Sequence, residues 1–311
     1  MTSRISLPNT DLSIYPLCLG GNVFGWTADQ AQSFDVLDEH RALGGNFIDT
    51  ADVYSEWAPG NKGGESESVI GAWMKDRGAR SETVIATKVA KLSTRPGLSA
   101  ANIIAACEDS LRRLQTDYID LYYAHEEDAN TPLEETLGAF GSLYKAGKIL
   151  NIGASQHSPV RLRESLAVSK ASGFIQYSVL QNQYNLMERA EFEAESTAVL
   201  TETGLTVLPF FSLAMGFLSG KYQPGAQVDS VRAGGVAQYQ NERGWAVVEA
   251  LGQIAAEHNT THSAVALAWL RAQEVVTAPI ASARTVEQLR EIMPLVTLTA
   301  DQLNRLTAAS N

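Results

Sequence analysis

The chain has 311 residues, 45% of them hydrophobic and 19% charged, with 24 Gly and 10 Pro; that composition supplies a substantial core and excludes general disorder. Thirty-five acidic against 24 basic residues give a formal charge of −11, which argues against broad coating of nucleic acid or anionic membrane but permits a local phosphate site. Cys18 and Cys107 are too few for a disulfide framework and lack zinc-ligand companions. No apolar run approaches the roughly 20 residues of a membrane span. The opening MTSRISLPNT has no hydrophobic signal core, so a cytoplasmic protein is expected.

In chain order, RISLPNTDLSIY reads as a hairpin turning at Asn9–Thr10–Asp11, expected to act as a plug. Short apolar runs then alternate with longer amphipathic ones. The predicted strands are IYPLCLG (14–20), GNFID (45–49), TVIATK (83–88), YIDLYY (118–123), ILNIGA (149–154), FIQYSV (174–179), LTVLPF (205–210) and VVTAPIA (275–281). Between them, IIAACEDSLRRL (103–114) puts Ile104, Cys107, Leu111 and Leu114 on one helical stripe. LEETLGAFGSLYKAG (133–147) repeats the pattern and stops at Gly147. Most of the strands are apolar on both faces, as in a sheet covered on both sides. Strand–helix units in this number match the size of a (β/α)8 barrel, typically ~250 residues; a doubly wound open sheet is the competing arrangement. Segment 210–240 is Gly-rich, contains Pro224 and lacks periodicity, which reads as a lid.

In a barrel, polar residues at strand C-termini fall on the face where active sites are built. Asp49 ends GNFID, Tyr54 follows five residues later, Lys88 ends TVIATK and His125 comes just after YIDLYY. Each has an ordinary structural reading: a turn former, a packing aromatic, a solvated strand end, a satisfied loop residue. Together they form a chemical unit. A Tyr hydroxyl, with an unperturbed pKa of about 10, is a poor acid. A nearby ammonium is expected to lower that value, and a carboxylate keeps the ammonium charged and oriented. An imidazole on the next strand can hydrogen-bond a substrate oxygen. Such a site moves a proton onto a carbonyl oxygen, and the hydride it lacks implies a nicotinamide cofactor.

NFIDTADVYS, GGESESVIGAW, ATK and DLYYAH resemble the aldo-keto reductase superfamily. The resemblance continues in order through GKILNIGAS, LQNQYNL, LPFFSLAMGFLSGKY and APIASARTVEQLREI, over nearly the whole chain. It looks closest to the bacterial general reductases and the potassium-channel β-subunit branch. It implies an α/β fold, a (β/α)8 TIM barrel with an N-terminal β-hairpin and a C-terminal extra helix, as a single domain over 1–311. It also implies NADPH-dependent, reversible carbonyl reduction by the tetrad Asp49, Tyr54, Lys88 and His125, with Tyr54 as general acid.

For the cofactor, the resemblance places Ser155, the following Gln156 and Gln181 at the nicotinamide carboxamide. Gln156 stands where Asn is usual, and Phe211 where a Tyr commonly stacks on the ring; a phenyl face can still stack. Ser212, Leu213 and Gly216 follow in the same loop, and Lys221 suits a pyrophosphate. GFLSGKY is one residue short of the GxxxxGK[ST] phosphate loop, with Tyr222 in place of the hydroxyl that would hold magnesium. No GxGxxG follows a strand. In SARTVEQLREI, Ser282 and Arg284 open a helix, Arg284 suits the adenosine 2′-phosphate, and Gln288 and Glu291 face the adenosine. Ile292 departs from the usual Asn. NADPH is expected over NADH.

His258 and His262 in HNTTH lack the Glu of HExxH, and Thr260 and Thr261 indicate a helix end there. No metal is expected. Glu126, Glu127 and Asp128 offer half of a glycosidase pair, but the strand 7 end LPFFS supplies no second carboxylate. Trp26 and Trp57 are candidates for an apolar substrate wall. The expected partner is a small-molecule carbonyl substrate. The rival from another class is an NADPH-binding redox-sensing barrel with little turnover. Substrate identity and oligomeric state are not legible.

Overall fold

The computed structural model describes residues 4–225, 228 and 233–311. At its start, β1 (Ile5–Ser6) pairs antiparallel with β2 (Ser13–Ile14). The turn between them places Asn9 at φ 61°, a left-handed conformation that Asn tolerates. Thr10 Oγ1 donates to Leu7 O at 2.8 Å, tying the turn to the strand.

Eight parallel strands follow: β3 (Cys18–Gly20), β4 (Phe47–Asp49), β5 (Val84–Val89), β6 (Leu121–Ala124), β7 (Ile152–Ser155), β8 (Tyr177–Gln181), β9 (Thr206–Val207) and β10 (Ile280–Ala281). Their spatial order is β10-β3-β4-β5-β6-β7-β8-β9. The ends meet through a parallel bridge between Val207 and Val276 and a 2.9 Å bond from Ile280 N to Pro209 O. This closure gives a (β/α)8 barrel and disposes of the open-sheet alternative. The eight predicted runs each contain or adjoin one observed strand. At 174–179 the strand lies further along the chain than expected: Gly173 ends the preceding helix at φ 66°, and pairing with β7 continues to Ser155↔Gln181.

The helices are α1 (Gln30–Ala42), α2 (Glu65–Arg77), α3 (Ala100–Leu114), α4 (Leu133–Lys145), α5 (Pro159–Ser172), α6 (Thr197–Thr203), α7 (Ala233–Val236), α8 (Glu242–Glu257), α9 (His262–Arg271), α10 (Val286–Ile292) and α11 (Ala300–Ala309). Asp29, Ser99, Ser158, Asn241, Thr261, Thr285 and Thr299 each cap a helix by accepting from a backbone N–H; each cap contributes about 1 kcal/mol. Thr261 thus separates α8 from α9 where the sequence indicates a helix end. Gly147, at φ 71°, terminates α4 as anticipated. On α3 the buried stripe differs from the expected one by a residue. Ile103 is buried while Ile104 is 42% exposed, because 103, 107, 111 and 114 share a face that 104 leaves by a helical step of about 100°.

Leu7 and Ile14 of the hairpin pack with Cys18, Phe47, Val84 and Leu121 at the strand beginnings and with Val179 within β8, so the hairpin plugs that end as expected. A second cluster lies between the barrel and its helices. Inside, Gly153 leaves room for the ring of Tyr123 on the neighbouring strand. The C-terminal helix α11 lies against α8, with Arg305 Nη1 donating to Glu257 Oε1 at 2.7 Å.

Segment 210–240 is more structured than a lid. It carries 3-10 turns at Ala214–Ser219 and Ala237–Tyr239, and Phe217, Leu218, Tyr222 and Tyr239 join the outer core. Apolar side chains without helical period still bury their area. The lid reading of 226–227 and 229–232 lies outside the described residues. Among the described residues, no helix is long and apolar enough to cross a membrane.

Candidate active site

The barrel places each of the four strand-end candidates on one floor. Asp49 closes β4, Lys88 lies near the end of β5, His125 directly follows β6, and the turn after β4 brings Tyr54 back over them. Lys88 Nζ donates to Asp49 Oδ2 at 2.7 Å, to Thr50 O at 2.7 Å and to Tyr54 Oη at 2.9 Å. Tyr54 Oη donates to Asp49 Oδ2 at 3.1 Å. Gln181 Nε2, from the end of β8, donates to Asp49 Oδ1 at 3.0 Å. The His125 ring lies edge-on to Tyr54, with centroids 6.0 Å apart. Trp57 stands edge-on to Tyr54 at 6.1 Å and to Trp26 at 5.6 Å. Lys88 and Asp49 are buried, so their ion pair works in a weakly screening environment.

The electrostatics correct one expectation. Burial, followed by the Asp49 carboxylate, pushes the Tyr54 phenol well above its ordinary range. Lys88 does not bring it down, because Asp49 Oδ2 contacts both groups and offsets the ammonium at the phenol. Tyr54 therefore keeps its proton at neutral pH. Burial lowers the Lys88 pKa, opposed by Asp49. Burial, with Lys88 and Lys91 nearby, holds His125 well below 6.5, giving a neutral imidazole whose buried Nδ1 has no hydrogen-bond partner among the described residues.

A cavity of about 520 Å³ opens from this floor, and a second, of about 480 Å³, adjoins it. Leu213, Met215, Gly216 and Ser282 line both, so they form one trough. Ser155, Gln156, Gln181, Phe211 and Ser212 line the end beside Tyr54. Lys221, Arg284, Gln288 and Glu291 line the other, with Ile292 among them. Every residue the resemblance assigned to a cofactor thus borders this trough. Three details suit an elongated dinucleotide. Ser155 Oγ is buried without a partner, and Phe211 holds a phenyl ring 38% exposed at φ 50°. Gly216 holds φ 96°, a conformation that favours glycine, with Lys221 Nζ 3.4 Å from where its Cβ would stand. The cations Lys221 and Arg284 sit at the far end. Thr285 and Gln288 form a reciprocal cap there: Gln288 N donates to Thr285 Oγ1 and Arg284 N to Gln288 Oε1.

Sequence reasoning missed several wall residues. Asn22 and Gly20 follow and end β3, and Asn22 Oδ1 accepts from Ser282 Oγ at 2.6 Å. The strand-end rule, applied to β3, would have found Asn22. Met215, which borders both cavities, carries no such signal. Asp52 was also missed: it is buried, both carboxylate oxygens lack partners, and burial beside Glu67 pushes its pKa up to about 7.

Residues 16–311 match the model of the Aldo/keto reductase family. The chain belongs to that family. It is an oxidoreductase of the carbonyl-reducing kind, and aldo/keto reductases in general depend on a nicotinamide cofactor. The "Uncharacterized oxidoreductase YrpG" of Bacillus subtilis is 35% identical, over 95% of this chain and 91% of its own. "Norsolorinic acid reductase A" of Aspergillus parasiticus is 31% identical, over 93% of this chain and 75% of its own. A protein of Arabidopsis thaliana named "Probable voltage-gated potassium channel subunit beta" is 30% identical, over 94% and 90%. These relatives agree with the resemblance read from the motifs.

Proposed function

We propose that this aldo/keto reductase, acting as one catalytic domain, reduces aldehydes or ketones reversibly with NADPH, with Tyr54 as the proton donor. The observation that carries the reading is the Tyr54–Lys88–Asp49 set, bonded at 2.7–3.1 Å beneath a trough with a cationic far end. A nicotinamide dinucleotide bound in the trough supplies hydride to the carbonyl carbon. Ser155, Gln156 and Gln181 would hold the carboxamide, and Phe211, Ser212 and Leu213 the ring. Gly216 and Lys221 would hold the pyrophosphate, and Ser282, Arg284, Gln288 and Glu291 the adenosine end.

The chain's own groups handle the proton. The substrate oxygen sits between Tyr54 Oη and the neutral His125. Tyr54 turns its hydroxyl from Asp49 to that oxygen and releases the proton as negative charge develops there. A high ground-state pKa keeps the donor loaded. Lys88, 2.9 Å from the phenol oxygen, stabilises the phenolate left behind. Asp49 holds Lys88 charged and in place. Trp57, 48% exposed, and Trp26 give the substrate an apolar wall. Arg284 favours NADPH by pairing with its extra phosphate.

The potassium-channel relative favours a second reading, a regulatory barrel that binds NADPH and turns over little. One assay separates the two. NADPH consumption is followed with para-nitrobenzaldehyde, beside NADH and beside Tyr54→Phe. The expected outcome is turnover that prefers NADPH and falls about 10²–10⁴-fold in the variant. Full turnover in Tyr54→Phe overturns the assigned acid. Cofactor binding without turnover in the unsubstituted protein favours the regulatory reading.

A further inference from the structure

The C-terminal face carries a third cavity, of about 540 Å³, that the reading above does not use. It adjoins the first, because Gln156, Phe210 and Met215 line both. Its outer wall includes the π-helical turn Phe192–Ser196, a form of winding frequent at functional sites. Glu191 and Glu195, one just before this turn and one in it, border the cavity and are exposed. Neither makes a hydrogen bond or ion pair among the described residues. Glu127 and Glu188 add two more carboxylates: Glu127 Oε2 accepts from Ser158 Oγ at 3.0 Å, and Glu188 Oε1 from Tyr239 Oη at 2.9 Å. No Lys or Arg lines this cavity among the described residues.

The inner wall supplies an independent observation. His157 borders the cavity yet is only 3% exposed. Its Nδ1 lies 2.8 Å from Ser155 O. A carbonyl only accepts, so Nδ1 carries the proton. Burial lowers the pKa of this ring, and in the neutral form Nε2 is left as an acceptor. That nitrogen has no hydrogen bond among the described residues. Asn182 Oδ1, on the same cavity, is likewise buried without a partner. Ser196 and Gln183 add a hydroxyl and an amide that can donate or accept, but every unspent group that can only accept or carries charge is of one kind: His157 Nε2, Asn182 Oδ1 and the carboxylates of Glu191 and Glu195. An anion is repelled, and an apolar group leaves buried acceptors unpaired. A protonated amine brings both the donors and the charge that these groups lack.

We propose that this cavity is a specificity subsite for the protonated amino group of a substrate whose carbonyl lies beside Tyr54 and His125. The substrate class is amino aldehydes and amino ketones in which several atoms separate the two groups. The inference rests on the reductase reading of Tyr54, and its test keeps the two apart.

Three aldehydes of one shape serve as probes: para-(dimethylaminomethyl)benzaldehyde, its neutral isostere para-isobutylbenzaldehyde, and para-carboxybenzaldehyde. The cationic probe is expected to exceed the isostere in kcat/KM by about tenfold, the worth of a few partly screened ion pairs, with the carboxylate lowest. The ratio should fall towards one in Glu191→Gln/Glu195→Gln, whose exposed sites make misfolding no obstacle, and with added NaCl. Equal reduction of the cationic and neutral probes overturns the subsite and leaves the reductase reading intact. A preference that survives in the double variant overturns it too. Reduction of none of the three contradicts the reductase reading, and calorimetric titration with N,N-dimethylbenzylamine then decides. Binding that the double variant loses supports the subsite, and no binding overturns it.

Discussion

At the beginnings of its strands the barrel is filled by Cys18, Phe47, Val84 and Leu121 beneath Leu7 and Ile14, all buried and apolar. At the ends of the same strands stand Asp49, Lys88, Ser155 and Gln181, buried but polar, with His125 just beyond. Backbone strain divides the same way. Ser55, Ala90, Gln156, Phe211, Ala214 and Met215 hold positive φ on loops that follow strand ends, at a cost of order 1–3 kcal/mol each. Elsewhere among the described non-glycine residues positive φ falls to Asn9 and Asn259, which tolerate it, and to Gln115 at the end of α3. One end of each strand supplies stability, and the other spends some of it holding a polar site in place.

The largest effect expected from breaking this division comes at the polar end. Lys88→Met leaves the Asp49 carboxylate buried without its cation, which costs about 3–5 kcal/mol. Urea unfolding should register that loss, and aldehyde reduction should fall with it. At the apolar end, Leu7→Ala opens a cavity in the plug and costs about 2–5 kcal/mol. The expected result there is a lower urea midpoint with kcat of the folded protein unchanged. A matching fall in kcat would show that the two ends are not separable.

A smaller effect sharpens the comparison between two carboxylates three residues apart. Asp49 is met by Lys88, Tyr54 and Gln181, whereas the Asp52 carboxylate accepts no hydrogen bond among the described residues and has a pKa raised to about 7 from 3.8. A raised carboxyl pKa means that the folded state holds its proton more tightly than the unfolded one. As pH rises through about 4 the unfolded state ionises first, and stability is lost until pH passes about 7. Asp52→Asn removes that loss. It should gain about 3–4 kcal/mol at pH 8 over its effect at pH 4, most of the full linkage, because the cost of the unpaired amide is the same at both pH values and cancels. Measuring the variant against the unsubstituted protein at each pH cancels the histidines. A gain independent of pH would contradict the raised pKa.

Much of this division is legible in the sequence, because strands announce themselves by apolar runs and the site by what stands at their ends. Asp49, Lys88 and His125 are visible by that rule, and Tyr54 by the chemistry the other three require. The cofactor wall needed the family resemblance, since Phe211 and Arg284 have ordinary local readings. What stayed hidden is set by long-range packing. The 210–240 segment takes its shape from Phe217 against Tyr239 and Trp245, with ring centroids 5.8 and 5.4 Å apart, and no periodicity records that. Phe211, Ala214 and Met215 adopt positive φ although none is Gly or Asn. The Tyr54 pKa also escaped, because it depends on how Asp49 is shared between Lys88 and the phenol.

The central claim is that the polar end transfers hydride directly from a dinucleotide in the trough to a carbonyl carbon above Tyr54. NADPH carrying two deuterons at the nicotinamide C4, incubated with the protein and para-nitrobenzaldehyde, tests it most directly. One deuteron on the carbinol carbon of each alcohol formed is the predicted result. An alcohol without deuterium at that carbon would contradict the account.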